Sequence, residues 1–186
     1  MTTGSWLNPI TASHWREHLE ALKRLFQQQP ASDAEAVALL RFFAYPEAET
    51  LADLEKSVGE NGHCVSLVKH YVPEIGATGS WKPGPRVQDM KAGTIPKGAV
   101  IATFWNGRYP KDRDSGKHAC FYLSHDDAGI KVVEQWSGVS PKQAKKIRGG
   151  AGVIRFKKIT LPADQSGASP SMSDTGNYYY LVLDKR

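Results

Sequence analysis

The sequence predicts an α+β fold, with helices first and then strands close enough in the chain to pair antiparallel. Three observations predict it. Apolar residues recur at helical spacing before residue 60, they give way after residue 95 to short β-branched and aromatic runs, and turn residues separate those runs. The 186 residues, 40% hydrophobic and 23% charged, suffice for one domain with a sizeable core.

Trp15, Leu19, Leu22 and Phe26 mark one face of a helix over about residues 11–28, and Gln27-Gln28-Gln29-Pro30 ends it. Ser32 and Glu35 form a capping-box pattern ahead of Val37, Leu40 and Phe43. Pro46 interrupts, and Leu51, Leu54 and Val58 then make a short third helix that Gly59 closes. Residues 1–58 therefore read as a helical region packed on 59–186, within one compact domain overall. His14 and His18 are an i, i+4 pair, but no cysteine or carboxylate cluster accompanies them. They read as a helix face, and neither a metal nor a cofactor is expected.

The next stretch, Asn61 to Tyr71, places a thiol where a glycine turn becomes a helix. Asn61 supplies a cap, Gly62 the turn, and Cys64, Leu67, Val68 and Tyr71 one apolar face. A thiol in the first turn sits at the positive end of the helix dipole, which favours the thiolate. The competing reading is a small buried apolar residue. Gly76 to Pro85 is a Pro/Gly loop whose Trp81 either lines a groove beside the thiol or anchors the loop to the core. Ile95-Pro96-Lys97-Gly98 leads into a strand over Ala99 to Phe104. Asn106 to Lys117 reads as a surface loop, His118 to Leu123 as a second strand, and Asp126-Asp127-Ala128-Gly129 as a hairpin turn into a third strand, Ile130 to Trp136. Pro141 to Gly150, with Lys142, Lys145, Lys146 and Arg148, is a charged loop or short helix; Gly152 to Thr160 is a fourth strand. Asp164 to Thr175 reads as a mobile loop, and Tyr178 to Leu183 as a closing strand. The sheet is expected to be mostly antiparallel, with five or six strands.

Nucleophilic chemistry needs a thiol, a base for its proton, and a group that orients the base. Cys64 begins a helix, His118 begins a strand, and Glu134 or Gln135 lies near the end of the neighbouring strand. Which of the two reaches His118 depends on register. A loop centred on Asp127 sets Cys120 opposite Glu134 and puts Glu134 on the His118 side. A two-residue Asp127-Ala128 turn sets Cys120 opposite Gln135 and puts Gln135 there. Cys120 shares the His118 face and reads as core beneath the site.

The segments Gly62-His63-Cys64-Val65-Ser66-Leu67-Val68-Lys69, Ile95-Pro96-Lys97-Gly98, Gly116-Lys117-His118-Ala119 and Glu134-Gln135-Trp136 resemble the CHAP and NlpC-like branch of the papain-like cysteine peptidases. The resemblance covers about residues 59–160 and is closest to small proteobacterial members, some similar to type VI secretion amidase effectors. It implies a papain-like fold and a cysteine amidase or endopeptidase that cuts the peptide stems or crosslinks of bacterial peptidoglycan. Cys64 is then the nucleophile and His118 the general base. For the third position the resemblance favours the polar residue before the Trp, Gln135, ahead of Glu134. His63 stands where CHAP members often carry Gln and NlpC members Asp, so the implied oxyanion donor is the backbone N–H of Cys64. Trp81, Trp136 and His63 are the residues expected to bind substrate.

The net charge of +5 suits an acidic polymer, but there is no basic arm and no zinc-finger spacing, so no nucleic-acid partner is expected. The Met1 end carries neither a basic n-region nor an apolar h-region, and no run is long enough to span a membrane. The expectation is a protein made in the cytoplasm without a Sec signal and exported by a secretion apparatus to act in the periplasm of a target cell. Such a toxin implies an immunity protein that blocks the Cys64 cleft. Two other classes share the same residues: a papain-like deamidase or acyltransferase acting on proteins, and a catalytically silent cell-wall binding module.

Overall fold

The computed structural model describes residues 40–54, 57–59, 62–113, 115–136, 153–160 and 171–184. The expected helix over 11–28 with His14 and His18, the Ser32 capping box and the Lys142 to Arg148 loop lie outside the described residues. In place of the third helix expected through Leu51, Leu54 and Val58 stands a 3-10 helix, Pro46–Leu54, which holds Leu51 and Leu54 while Val58 lies outside any helix. Pro46 begins it instead of interrupting it, because the first helical position needs no N–H donor.

Six strands form one sheet: β1 (Lys82–Arg86), β2 (Val100–Thr103), β3 (Ala119–Asp126), β4 (Gly129–Trp136), β5 (Val153–Thr160) and β6 (Tyr179–Leu183). Their spatial order is β1-β6-β2-β3-β4-β5, and every neighbouring pair is antiparallel. The five strands expected from the sequence are present. The sixth, β1, arises from Lys82-Pro83-Gly84-Pro85-Arg86, which reads as loop in the sequence. It lies at the sheet edge, where prolines are tolerated because an edge strand leaves half its backbone groups unpaired. The closing strand β6 slots between β1 and β2, so the last strand of the chain sits inside the sheet.

One helix, α1 (Cys64–Tyr71), packs on the sheet. Its buried Leu67 and Val68 meet Ala119 and Phe121 of β3, Val133 of β4 and Ile154 of β5. Burial of each such side chain contributes roughly 1.5–3 kcal/mol. Cys120, Tyr122, Ile130, Val132 and Tyr179 point to the other face, where Val87 and Ile95 cover them. The two faces follow from strand alternation: odd residues of β3 and β4 at the site end turn toward α1, even residues away.

The hairpin between β3 and β4 resolves the register question in an unexpected way. At its tip Asp126 faces Gly129 and His125 faces Ile130, the two-residue Asp127-Ala128 turn. Past the tip the pairing becomes Tyr122 with Val132 and Phe121 with Val133, because the register shifts between Tyr122 and Ser124. Leu123 is the extra residue of a β-bulge. The bulge undoes the consequence of the short turn, and Glu134 ends on the face of Cys120 and His118.

Candidate active site

Cys64 is the first residue of α1, and the turn before it requires Gly62, whose φ is 65°. The N-cap is His63, in extended conformation and without a side-chain cap bond; Asn61, expected to cap, lies outside the described residues. What holds this corner instead is Gln135. Its side-chain oxygen accepts from Val58 N–H at 2.6 Å, and its amide nitrogen donates to Val58 O at 2.9 Å and His63 O at 3.0 Å. Gln135 is therefore corrected from orienter of His118 to anchor of the Cys64 corner. The physical reason is the bulge, which turns residue 135 toward α1.

Glu134 takes the other side. His118 Nε2 lies 2.7 Å from Glu134 Oε2, with both side chains buried. Lys157 Nζ stands 3.7 Å from the same oxygen and 2.8 Å from Asp174 Oδ1, so the buried carboxylate has cationic company. Nε2 faces the carboxylate, and Nδ1 is the ring nitrogen on the side away from that contact. Nδ1 is buried and has no hydrogen-bond partner among the described residues. The backbone of His118 is clamped as well. Its N–H donates to Thr103 Oγ1 at 3.0 Å, that hydroxyl donates to Gly116 O at 2.8 Å, and Thr103 N–H donates to His118 O at 3.0 Å. Gly116 has φ 81°, and a Cβ there would meet Met172 Cβ at 2.8 Å. Thr103 and Lys157 carry no signal in the sequence, since threonine is common in strands and lysine is common on edge strands.

The Cys64 thiol is half-buried and unoxidised. Burial pushes its pKa up; backbone N–H groups of Ala119 and Val65 bond the sulfur and pull it down, while the Glu134 charge adds to the rise. The net direction is upward, opposite to the pull of the helix dipole. An eight-residue helix with its sulfur largely removed from water does not offset the desolvation. Cys120 is fully buried core, as expected.

A cleft of about 750 Å³ opens over the sulfur, lined by His63, Cys64, Val65, Ser66, Lys69 and His70 on one side and by Thr78, Tyr109, Lys111, Ser115, Gly116 and Lys117 on the other. His63 therefore faces the cleft, and burial lowers its pKa, which favours the neutral imidazole. Trp81 does not line it. The indole is 3% exposed, donates to Ile75 O at 3.1 Å and backs the ring of Tyr109 edge-on, at a centroid distance of 5.1 Å. Trp81 thus supports the cleft wall from behind. Trp136 is 53% exposed at the end of β4 and is not among the residues that line the cleft. Among the described residues no group of three or more His, Cys, Asp or Glu could hold a metal ion.

A thiol at the start of a helix packed on an antiparallel sheet, with a His118–Glu134 pair on that sheet, is an arrangement of the papain-like cysteine hydrolase class. The family model described as domesticated amidase effector 2 matches residues 45–157. A type VI secretion amidase effector 2 protein of Salmonella typhi is 40% identical over 146 residues, which span 75% of this chain and 98% of that protein. The solved structure of a type 6 secretion amidase effector 2 is 33% identical, with a TM-score of 0.58 over 76% of this chain and 95% of that one. The chain belongs to the amidase effector 2 family.

Proposed function

We propose that the protein hydrolyses amide bonds in the peptide stems or crosslinks of peptidoglycan, with Cys64 as nucleophile, His118 as general base and Glu134 as the group that orients it. The observation that carries this reading is the 2.7 Å contact of His118 Nε2 with Glu134, which leaves Nδ1 as the open nitrogen. Nδ1 takes the thiol proton as the sulfur attacks the carbonyl carbon, and the S–C bond forms. The developing oxyanion is held by the backbone N–H of Cys64 at the start of α1. The C–N bond breaks as the imidazolium protonates the leaving amine. Water, deprotonated by the same imidazole, then cleaves the thioester and restores the thiol.

Relatives that carry the words type VI secretion support delivery by that apparatus into the periplasm of a target cell. A cognate immunity protein in the producing cell then fits over the Cys64 cleft. Digestion of purified peptidoglycan followed by mass spectrometry of the fragments tests the reading. The wild type releases new amine termini and Cys64→Ala releases none, with an unchanged circular dichroism spectrum. Undiminished release by Cys64→Ala would refute it.

A further inference from the structure

Among the described residues the charged groups that line the cleft over Cys64 are all basic. Lys69 of α1 lines it together with Lys111 and Lys117 of the segment before β3, so cations from two separate parts of the chain border any peptide lying in it. His63 and His70 add two imidazoles. Among the described residues the cleft is lined by no aspartate or glutamate, although the chain carries 19 of them against 24 lysines and arginines. None of the three ammonium groups has a carboxylate partner among the described residues, whereas Lys97 and Lys157, elsewhere on the surface, each hold one within 2.8 Å. The buried Glu134 lies beneath the floor and is engaged by His118 and Lys157. Asp112 lines the adjoining hollow, beside Lys82, Arg108 and Arg113, so the positive sign continues past the cleft.

Like charges that line one cleft without counter-ions among the described residues repel one another and are relieved by an anionic ligand. We infer that Lys69, Lys111 and Lys117 form a subsite for free carboxylates of the substrate peptide, flanking the amide that Cys64 attacks. The preferred substrate is then an acidic peptide with its carboxylates uncapped, and conversion of those carboxylates to carboxamides removes the recognition. This rests on the amidase reading above and adds to it which stems are cut. Selectivity arises in binding, since the lysines address charges already present in the ground state.

The test compares two synthetic stem peptides that differ only in whether the carboxylates beside the scissile amide are free or amidated. The free acid is expected to show kcat/KM at least tenfold above the carboxamide, chiefly through KM. In K69Q/K111Q/K117Q that ratio falls toward one, each lysine accounting for about a threefold change. Raised salt is expected to narrow the wild-type ratio in the same direction. Equal cleavage of both peptides by the wild type, lost in Cys64→Ala, overturns the carboxylate subsite and leaves the amidase standing. A tenfold preference that persists in the triple variant also overturns it. Cleavage of neither peptide overturns the amidase reading and the subsite with it.

Discussion

Two adjacent side chains of β4 serve the two halves of the site. Glu134 turns to His118 and Gln135 to the backbone at Val58 and His63, on opposite faces of the sheet. Their replacements should separate. Glu134→Gln keeps shape but presents no charge to Nε2, so kcat falls by about 10²-fold or more while the melting temperature changes little. Gln135→Ala strands buried backbone groups and costs about 1–3 kcal/mol, read as a lower melting temperature, with the pH profile of the remaining activity unchanged. A pH–rate series on both variants, with thermal melts, checks the division; the reverse pattern would return the orienting role to Gln135. Cys64 and His118 were legible in the sequence because their chemistry is rare and their elements were plain. The Glu134 assignment was not, because it depends on one residue of register. Trp81 misleads for a related reason: a Pro/Gly loop does not reveal whether its aromatic faces in or out.

At the scale of elements, the β3–β4 hairpin carries the information that sequence periodicity leaves open. The turn residues select the two-residue loop, and the Leu123 bulge reverses its effect on the site end of the strands. A bulge of this kind has no composition signal, since Leu123 is one more apolar residue in an apolar strand. Deleting Val132 beside the bulge should set Cys120 opposite Gln135 and bring Gln135, not Glu134, to the His118 side. The expected outcome is loss of detectable hydrolysis, while Leu123→Met, which preserves the residue count, stays within about 1.5 kcal/mol of wild-type stability and keeps activity. Peptidoglycan digestion alongside circular dichroism checks it, and a fully active deletion variant would show that this register sets nothing. β1 was illegible for the opposite reason, because its two prolines argue against a strand everywhere except at an edge.

For the whole molecule, the α+β class and the antiparallel sheet followed from the order of periodic segments, whereas the insertion of β6 between β1 and β2 is a long-range choice that no local pattern encodes. The core so formed buries ionisable groups on the face away from α1. Burial holds the Cys120 thiol and the Tyr179 phenol well above their ordinary pKa values, and Tyr122 is pushed up to about 12. Below the unfolded-state values, about 8.5 for a thiol and 10 for a phenol, both states are protonated and the burial contributes fully. Above them the unfolded chain loses protons first, so each group lowers stability by about 1.4 kcal/mol per pH unit until the folded value is reached. The melting temperature is expected to fall steeply between about pH 8.5 and 11 from these groups, and less steeply in Cys120→Ala. Melts across that range check it; equal slopes for the two proteins would contradict it.

The central claim is that Cys64 is a half-buried thiol whose proton goes to a His118 held in place by Glu134. The most direct measurement is the rate of Cys64 alkylation by iodoacetamide against pH, in wild type, His118→Ala and Glu134→Gln, with the labelled residue identified by mass spectrometry. The account predicts ready labelling of the wild type near neutral pH. In His118→Ala, labelling should appear only above the ordinary thiol value of about 8.5, because burial raises the thiol pKa and nothing remains to take the proton. Glu134→Gln should fall between the two. Superimposable profiles for wild type and His118→Ala would contradict it.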